Sequence, residues 1–316
     1  MEKRVLGSSG IKVGAMGLGC MGMSWAYGSV DADQAMAVIH RAIDLGVTLL
    51  DTSDVYGPFT NEELVGQALR SRRDEVVVAT KCGLVVEDIA TYRLGRNGTP
   101  EHIKTSCEAS LKRLGIETID LYYLHRVDPD VPIEESVGAL AELVQEGKVR
   151  AIGLSEVDIE TLERAQRVHP IAALQSELSL WTRDVLPEIL PWCATHNVAM
   201  VPFSPLGRGF LTGRYASSEQ FGDGDFRSRN PRFQQEALDA NRQIVEQIEG
   251  IASRYGITSG QIALAWVLAL GEQVIPIPGT KRMAYLEENV AASMIQLTND
   301  DMALLNELPV AVGSRY

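Results

Sequence analysis

The chain has 316 residues, 45% of them hydrophobic, and a formal net charge of −13. A surface that acidic repels phosphate backbones and anionic lipid, which argues against nucleic-acid and membrane-surface partners. Its four cysteines, Cys20, Cys82, Cys107 and Cys193, include no CxxC pair, so they read as reduced thiols and not as a disulfide framework or zinc knuckle.

The first ten residues, MEKRVLGSSG, are charged and lack the apolar stretch of a secretion signal. The most apolar segment, IALAWVLAL (262–270), is far short of the ~20 residues that span a bilayer. A cytoplasmic protein is expected. Arg4-Val5-Leu6, Ser8-Ser9-Gly10 and Ile11-Lys12-Val13 then read as a hairpin. Strand-like and helix-like segments alternate from there to the end. The strand-like runs are AMGLGC (15–20), TLLDTS (48–53), VVVATK (76–81), IDLYYLH (119–125), VRAIGLS (149–155), AALQSEL (172–178), AMVPFS (199–204) and VIPIPG (274–279). Most are short continuous apolar stretches, as strands buried on both faces of a parallel sheet should be.

Helical periodicity fills the gaps. Met36, Ile39 and Ile43 share a face and that helix closes at Gly46. Leu64, Val65, Ala68 and Leu69 follow Asn61, which reads as an N-cap. Thr99-Pro100 opens a helix stopped by Gly115, and Ile133, Val137, Leu140 and Val144 lie on one that ends at Gly147. Eight strands, each with a helix after it and no linker between, predict one α/β domain over 1–316: a (β/α)₈ TIM barrel with an N-terminal β-hairpin. Long connections follow the third strand (83–98) and the seventh (205–231), and loops of that length are usually functional or mobile.

In such barrels chemistry gathers at the C-terminal ends of the strands. Strand two ends at Asp51 with Tyr56 in its loop, strand three at Lys81 and strand four at His125. A free tyrosine titrates at about 10, too weakly acidic to be a ready proton donor at neutral pH. A neighbouring lysine ammonium is expected to lower that value, an aspartate to hold the lysine charged, and a neutral histidine to orient a carbonyl oxygen. Each residue alone has a bland reading as strand-end polarity. Four on adjacent strands at one rim point to catalysis.

Two other site types fit poorly. GLGCMG (17–22) spells GxGxxG, but no helix opens at its third glycine, as a dinucleotide fingerprint requires; helical periodicity starts near Asp31. A tight turn after the first strand, with Met23, Trp25 and Tyr27 turned to a substrate, fits better. The five histidines (His40, His102, His125, His169, His196) show no HxH or HExxH spacing, so a zinc set is not expected.

The sequence resembles the aldo-keto reductases, NADPH-dependent (β/α)₈ oxidoreductases. The resemblance rests on the glycines at 17–22, DTSDVYG (51–57), Lys81, YYLHRVDPD (122–130), GKVRAIGLSE (147–156), QSELSLWTR (175–183), PFSPLGRGFLTGRY (202–215) and PIPGTKRMAYLEENV (276–290). It implies NADPH-dependent reduction of an aldehyde or ketone, with Tyr56 as proton donor, Asp51 and Lys81 as its tuning pair, and His125 orienting the carbonyl. Trp25 would face the substrate. It further implies that Cys20, Met21, Asp51, Ser155 and Gln175 line the nicotinamide end and that Phe203 lies against its ring. Ser204, Pro205, Leu206, Gly207, Arg208 and Arg214 would line the pyrophosphate; Gly279, Lys281, Arg282, Tyr285, Glu288 and Asn289 would hold the adenosine end. Glu156 stands where many members carry Asn, and Phe203 where many carry Tyr or Trp. The partner implied is a small carbonyl compound; the loop aromatics Trp25, Tyr27, Tyr92 and Phe226 read equally as a face for a flat or apolar one or as plain packing. A regulatory subunit of the same fold, binding nicotinamide without turnover, is the alternative.

Overall fold

The computed structural model describes residues 1–316 apart from 28–30, 90, 92, 223–224 and 316; Tyr92 and part of the 205–231 connection therefore lie outside the described residues. Strands β1 (Lys3–Val5) and β2 (Lys12–Gly14) pair antiparallel as the hairpin. Seven parallel strands follow: β3 (Leu18–Gly19), β4 (Leu49–Asp51), β5 (Val77–Cys82), β8 (Ile119–Leu124), β9 (Val149–Ser155), β10 (Ala173–Glu177) and β11 (Ala199–Phe203), hydrogen-bonded in that order. Between β5 and β8 the long connection folds as a second antiparallel hairpin, β6 (Leu84–Asp88) with β7 (Arg93–Arg96).

The expected eighth strand closes the ring without forming a regular ladder. Ile275 N donates to Met200 O at 2.8 Å, Ile277 N to Pro202 O at 3.0 Å and Gly17 N to Pro276 O at 2.9 Å. Parallel bridges join Met200 to Val274 and Gly19 to Gly279. Pro202 of β11 has no N–H to return to this segment, and Pro276 and Pro278 have none to give on its other side, so the ladder stays broken. The result is a (β/α)₈ barrel. Gly17 and Gly19 serve this closure: a Cβ on Gly17 would stand 2.9 Å from Ile277 Cγ2, and one on Gly19 2.8 Å from Ile277 O.

Helices α1 (Ala32–Asp44), α2 (Thr60–Leu69), α3 (Pro100–Leu114), α4 (Ile133–Gln145), α5 (Ile159–Val168) and α6 (Ile189–Thr195) follow successive strands. Two, α7 (Gln235–Tyr255) and α8 (Ser259–Ala269), follow β11, and α9 (Met283–Ala291) and α10 (Asn299–Asn306) end the chain. Caps largely match the sequence signals: Asp31 accepts from Asp33 N and Gln34 N, Thr99 from His102 N, and Gly115 ends α3 with φ +65°. Asn61 is a correction. Helix α2 opens two residues earlier than that cap would place it, with Phe59 in the capping position, and Asn61 is buried inward, accepting from Thr52 Oγ1 at 2.6 Å and donating to Cys20 O and Ser24 Oγ.

Side chains alternate along each strand. Leu49, Val77, Ala79, Leu121, Tyr123, Ala173, Ala199 and Val201 fill the barrel interior, with Leu6, Ile11 and Val13 of the hairpin plugging its lower end. The opposite phase, including Leu50, Val78, Tyr122 and Leu124, packs against the helices. Among the described residues no helix is long and apolar enough to cross a membrane.

Candidate active site

That period of two places the chemistry. Counting on from the inward residues, Asp51 follows Leu49, Lys81 follows Val77 and Ala79, and His125 follows Leu121 and Tyr123. Ser155, Gln175 and Phe203 share the inward phase of β9, β10 and β11. Asp51, Ser155 and Phe203 end their strands, His125 lies one residue past β8, Lys81 one residue before the end of β5 and Gln175 two before the end of β10, so the six gather towards the C-terminal rim.

The four residues expected to act together are brought together. Lys81 Nζ donates to Asp51 Oδ1 at 2.6 Å, to Thr52 O at 2.7 Å and to Tyr56 OH at 3.3 Å, and lies 5.0 Å over the Tyr56 ring. Rings of Tyr56 and His125 meet edge-on, with centroids 5.9 Å apart. Lys81 is fully buried and Asp51 nearly so. Burial alone would lower the lysine's pKa; Asp51 and Tyr56 outweigh it, and the net shift is upward. The ammonium is therefore kept charged in a place where an unpaired one would lose its proton.

The phenol departs from expectation. Burial raises the Tyr56 pKa above its ordinary value, and Lys81 opposes that rise without reversing it. Tyr56 is thus an acid held protonated, with an ammonium ready to stabilise the phenolate once its proton has gone. Burial, Lys81 and Arg126 hold the His125 pKa well below the usual histidine value, so its ring is neutral. His125 Nδ1 lies 3.2 Å from Ser53 Oγ.

Around this centre, Gln175 Nε2 donates to Asp51 Oδ2 at 2.7 Å, and Ser155 Oγ accepts from Arg126 Nη1 at 2.9 Å. Trp25 is 6.1 Å from the Tyr56 ring. Met23, expected to face substrate, is instead buried in the core with Leu18 and Cys20. Tyr27 packs edge-on against Phe226 at 5.2 Å, and a bridge between Tyr27 and Asp225 joins the loop after β3 to the one after β11. Cys20 is buried, its thiol pushed up to about 12 by burial, and its carbonyl holds Asn61. Met21 is half-buried on the neighbouring turn.

Beyond the half-buried Phe203 the chain turns through left-handed backbone at Ser204, Gly207, Arg208 and Gly209. Pro205 is buried, and Leu206 packs on the hydrophobic core. Arg208 Nη2 donates to Glu177 Oε2 at 3.0 Å and Nη1 to Arg315 O at 2.9 Å. Glu156 accepts from Glu177 N and from Arg315 Nη2, each at 2.9 Å, so the residue standing in place of the common Asn ties the chain's end to the rim.

Near α9 two guanidiniums approach the Tyr285 ring, Arg214 at 4.0 Å and Arg282 at 5.3 Å from its centroid. Glu288 takes a hydrogen bond from Thr258 Oγ1 at 2.9 Å and meets Arg214 at 3.4 Å. A cleft of about 390 Å³ opens beside Arg214 and Glu288. Lys281 Nζ turns back to Tyr27 O at 2.8 Å. Gly279 is exposed at the barrel closure and Asn289 is buried in α9. Sequence reasoning missed Ser53, Asp54 and Glu177. Their signal was present in DTSD and QSE, but nothing local said which way they point. Among the described residues no group of three or more His, Cys, Asp or Glu could hold a metal.

A parallel barrel with a buried Asp–Lys–Tyr–His set at its C-terminal rim defines an oxidoreductase-type site. The family model for the aldo/keto reductase family matches residues 15–309. A protein named "Probable aldo-keto reductase 1", from Glycine max, is 45% identical over 316 residues, covering 98% of this chain and 90% of that protein. The solved glycerol dehydrogenase of Gluconobacter oxydans is 33% identical with a TM-score of 0.87, covering 97% of this chain and 94% of its own. An aldo/keto reductase from Klebsiella pneumoniae, solved with NADP and acetate, is 28% identical with a TM-score of 0.75 over 100% and 99% of the two chains. The chain belongs to the aldo/keto reductase family and is an oxidoreductase.

Proposed function

We propose that this protein reduces an aldehyde or ketone to the alcohol, with Tyr56 giving the proton. The observation that carries the reading is Lys81 Nζ, fully buried and shared between Asp51 Oδ1 at 2.6 Å and Tyr56 OH at 3.3 Å. The dinucleotide is NADP(H). The residues present suit it: in an acidic chain, Arg214 and Arg282 both lie against the Tyr285 ring, and Phe203 at the end of β11 offers a half-exposed ring. When bound, the dihydronicotinamide supplies the hydride.

The chain's own residues do the rest. Tyr56 hydroxyl gives its proton to the developing alkoxide. Lys81 balances the phenolate left behind, and Asp51 keeps Lys81 charged and fixed in direction. Neutral His125 orients the carbonyl oxygen, and Trp25 walls the pocket beside Tyr56. Ser155 and Gln175 would hold the carboxamide, Gln175 exchanging its bond to Asp51. The test is Tyr56→Phe, assayed by NADPH oxidation against a carbonyl panel and by NADP⁺ titration. Turnover should fall by roughly 10²- to 10⁴-fold with cofactor binding retained. Near-normal turnover in the variant would refute the assignment.

A further inference from the structure

Ser53 Oγ lies 3.0 Å from Asp54 Oδ1 and 3.2 Å from His125 Nδ1, and all three residues are buried. A serine hydroxyl has one proton, and an ionised carboxylate can only accept. When Asp54 is ionised, Ser53 gives that proton to Asp54, so its remaining lone pairs take an N–H from His125 Nδ1. His125 is neutral and carries one ring proton. Its other nitrogen, Nε2, then has only a lone pair, the wrong polarity for a carbonyl oxygen. When Asp54 is protonated, its Oδ1 becomes a weak acceptor already taken by Val55 N at 2.8 Å. Ser53 can then turn its proton to Nδ1, which moves the ring proton to Nε2.

We infer that Ser53 and Asp54 are positioning residues that decide which nitrogen of His125 carries the proton, and that the carbonyl-reducing form is the one with Asp54 protonated. The inference rests on the reading of His125 as the group that orients the substrate oxygen.

The surroundings of Asp54 place the change in the neutral range. Burial pushes its carboxyl up to about 7, Glu62 on α2 adds to the rise, and hydrogen bonds from Ser53 and Val55 and the charge of Arg113 on α3 oppose it. Cys82 on β5 and Tyr122 on β8 also feel this carboxylate, and burial holds both well above their ordinary values, so they stay neutral throughout. Burial, with the charges of Lys81 and Arg126 adding to it, keeps the His125 imidazolium from forming.

The experiment uses the full chain labelled with ¹⁵N-histidine. The His125 signals are identified by their loss in His125→Asn, and two-bond ¹H–¹⁵N spectra report which nitrogen is protonated. In wild type the proton should sit on Nε2 at about pH 5.5 and on Nδ1 at about pH 8.5, crossing near the Asp54 titration at about 7. Asp54→Asn, which keeps an acceptor for Val55 N but no charge, should hold Nε2–H at both pH values. Ser53→Ala should remove the pH dependence. In kinetics, wild-type kcat/KM for reduction should fall on the order of tenfold across this range, as expected for one lost hydrogen bond, and the limb should vanish in Asp54→Asn. A His125 tautomer indifferent to pH and to both substitutions would overturn the inference. The spectra need no turnover, so a protein that reduced no carbonyl would sink the reductase reading while leaving the tautomer link standing on its own evidence.

Discussion

Arg208 and Glu177 form a buried ion pair, Nη2 to Oε2 at 3.0 Å, with side chains only 6% and 3% exposed. The guanidinium expected to meet the cofactor's pyrophosphate is therefore already matched to a carboxylate, which also takes a hydrogen bond from Thr182 Oγ1 at 2.9 Å. A phosphate approaching Arg208 meets the negative charge of Glu177 at short range, where low dielectric magnifies repulsion. Glu177→Gln keeps the shape and removes that charge. NADP⁺ should bind several-fold tighter to the variant in fluorescence titrations. Weaker binding would mean that Glu177 holds Arg208 in its phosphate-binding pose, and the competition argument would fail.

How far this site was legible follows from the range of its contacts. Asp51, Lys81 and His125 could be placed because each ends an apolar run and strand alternation is local; two residues back from each is an inward apolar side chain. Met23 and Asn61 lie elsewhere than the sequence suggests, and Lys281 has a partner the sequence does not show, because these contacts are set by tertiary approach. Asn61 looks like a cap until Cys20 and Ser24, some 40 positions earlier, are seen to need its amide. Lys281 looks like a free phosphate ligand until Tyr27 O, 254 positions away, is seen on it. Helix α7 was hidden behind a connection whose Gly, Ser and charge content masked where the loop ended. The eighth strand was legible as a position in the ring but not as a ladder, because its prolines decide which amides can bond.

GxGxxG offers a direct check of that reading. If Gly17 serves barrel closure, Gly17→Ala forces a Cβ to within 2.9 Å of both Leu49 O and Ile277 Cγ2. Overpacking of this kind costs about 1–3 kcal/mol. Urea unfolding should show that loss. By contrast Gly138, inside α4 with nothing within 4 Å of an added Cβ, should gain about 0.5–1 kcal/mol on change to Ala. Unchanged stability of Gly17→Ala with loss of NADP⁺ binding would restore a phosphate-binding role for the motif.

Asp54 also predicts how stability varies with pH. Its folded pKa is raised to about 7 from the ordinary 3.8. Below about 4 the carboxyl is protonated folded or unfolded, and its contribution is fully present. As pH rises the unfolded chain ionises first, so stability is lost between about 4 and about 7 and levels off above. About three pH units correspond to on the order of 4 kcal/mol. Asp54→Asn removes this loss, so its Tm should gain on wild type as pH rises through that window. A constant Tm difference from about pH 4 to about pH 8 would show that the carboxyl titrates normally.

The choice between NADPH and NADH turns on the adenosine end. A 2′-phosphate needs cations, and Lys281 and Arg282 stand side by side in a chain that is otherwise strongly acidic. Their roles differ in the structure. Burial, then the charge of Arg282, lowers the Lys281 pKa, and its ammonium holds Tyr27 O. Arg282 is exposed and leans on Tyr285, with Nη1 3.1 Å from that hydroxyl and Arg214 on the same ring. The nearby carboxylates already have partners: Glu287 is bound by Arg41 of α1 at 2.8 Å, and Glu288 by Thr258 and, at 3.4 Å, by Arg214. Charge-assisted hydrogen bonds contribute about 1.5–3 kcal/mol, roughly 10- to 150-fold in affinity. Arg282 is exposed, so the lower end applies. Arg282→Ala should raise the KM for NADPH about tenfold and leave that for NADH nearly unchanged. Lys281→Ala should weaken both cofactors alike, because it removes the tie between the chain before α9 and the Tyr27 loop. Equal losses for both cofactors in Arg282→Ala, or equal use of both by wild type, would remove the 2′-phosphate from this corner of the site.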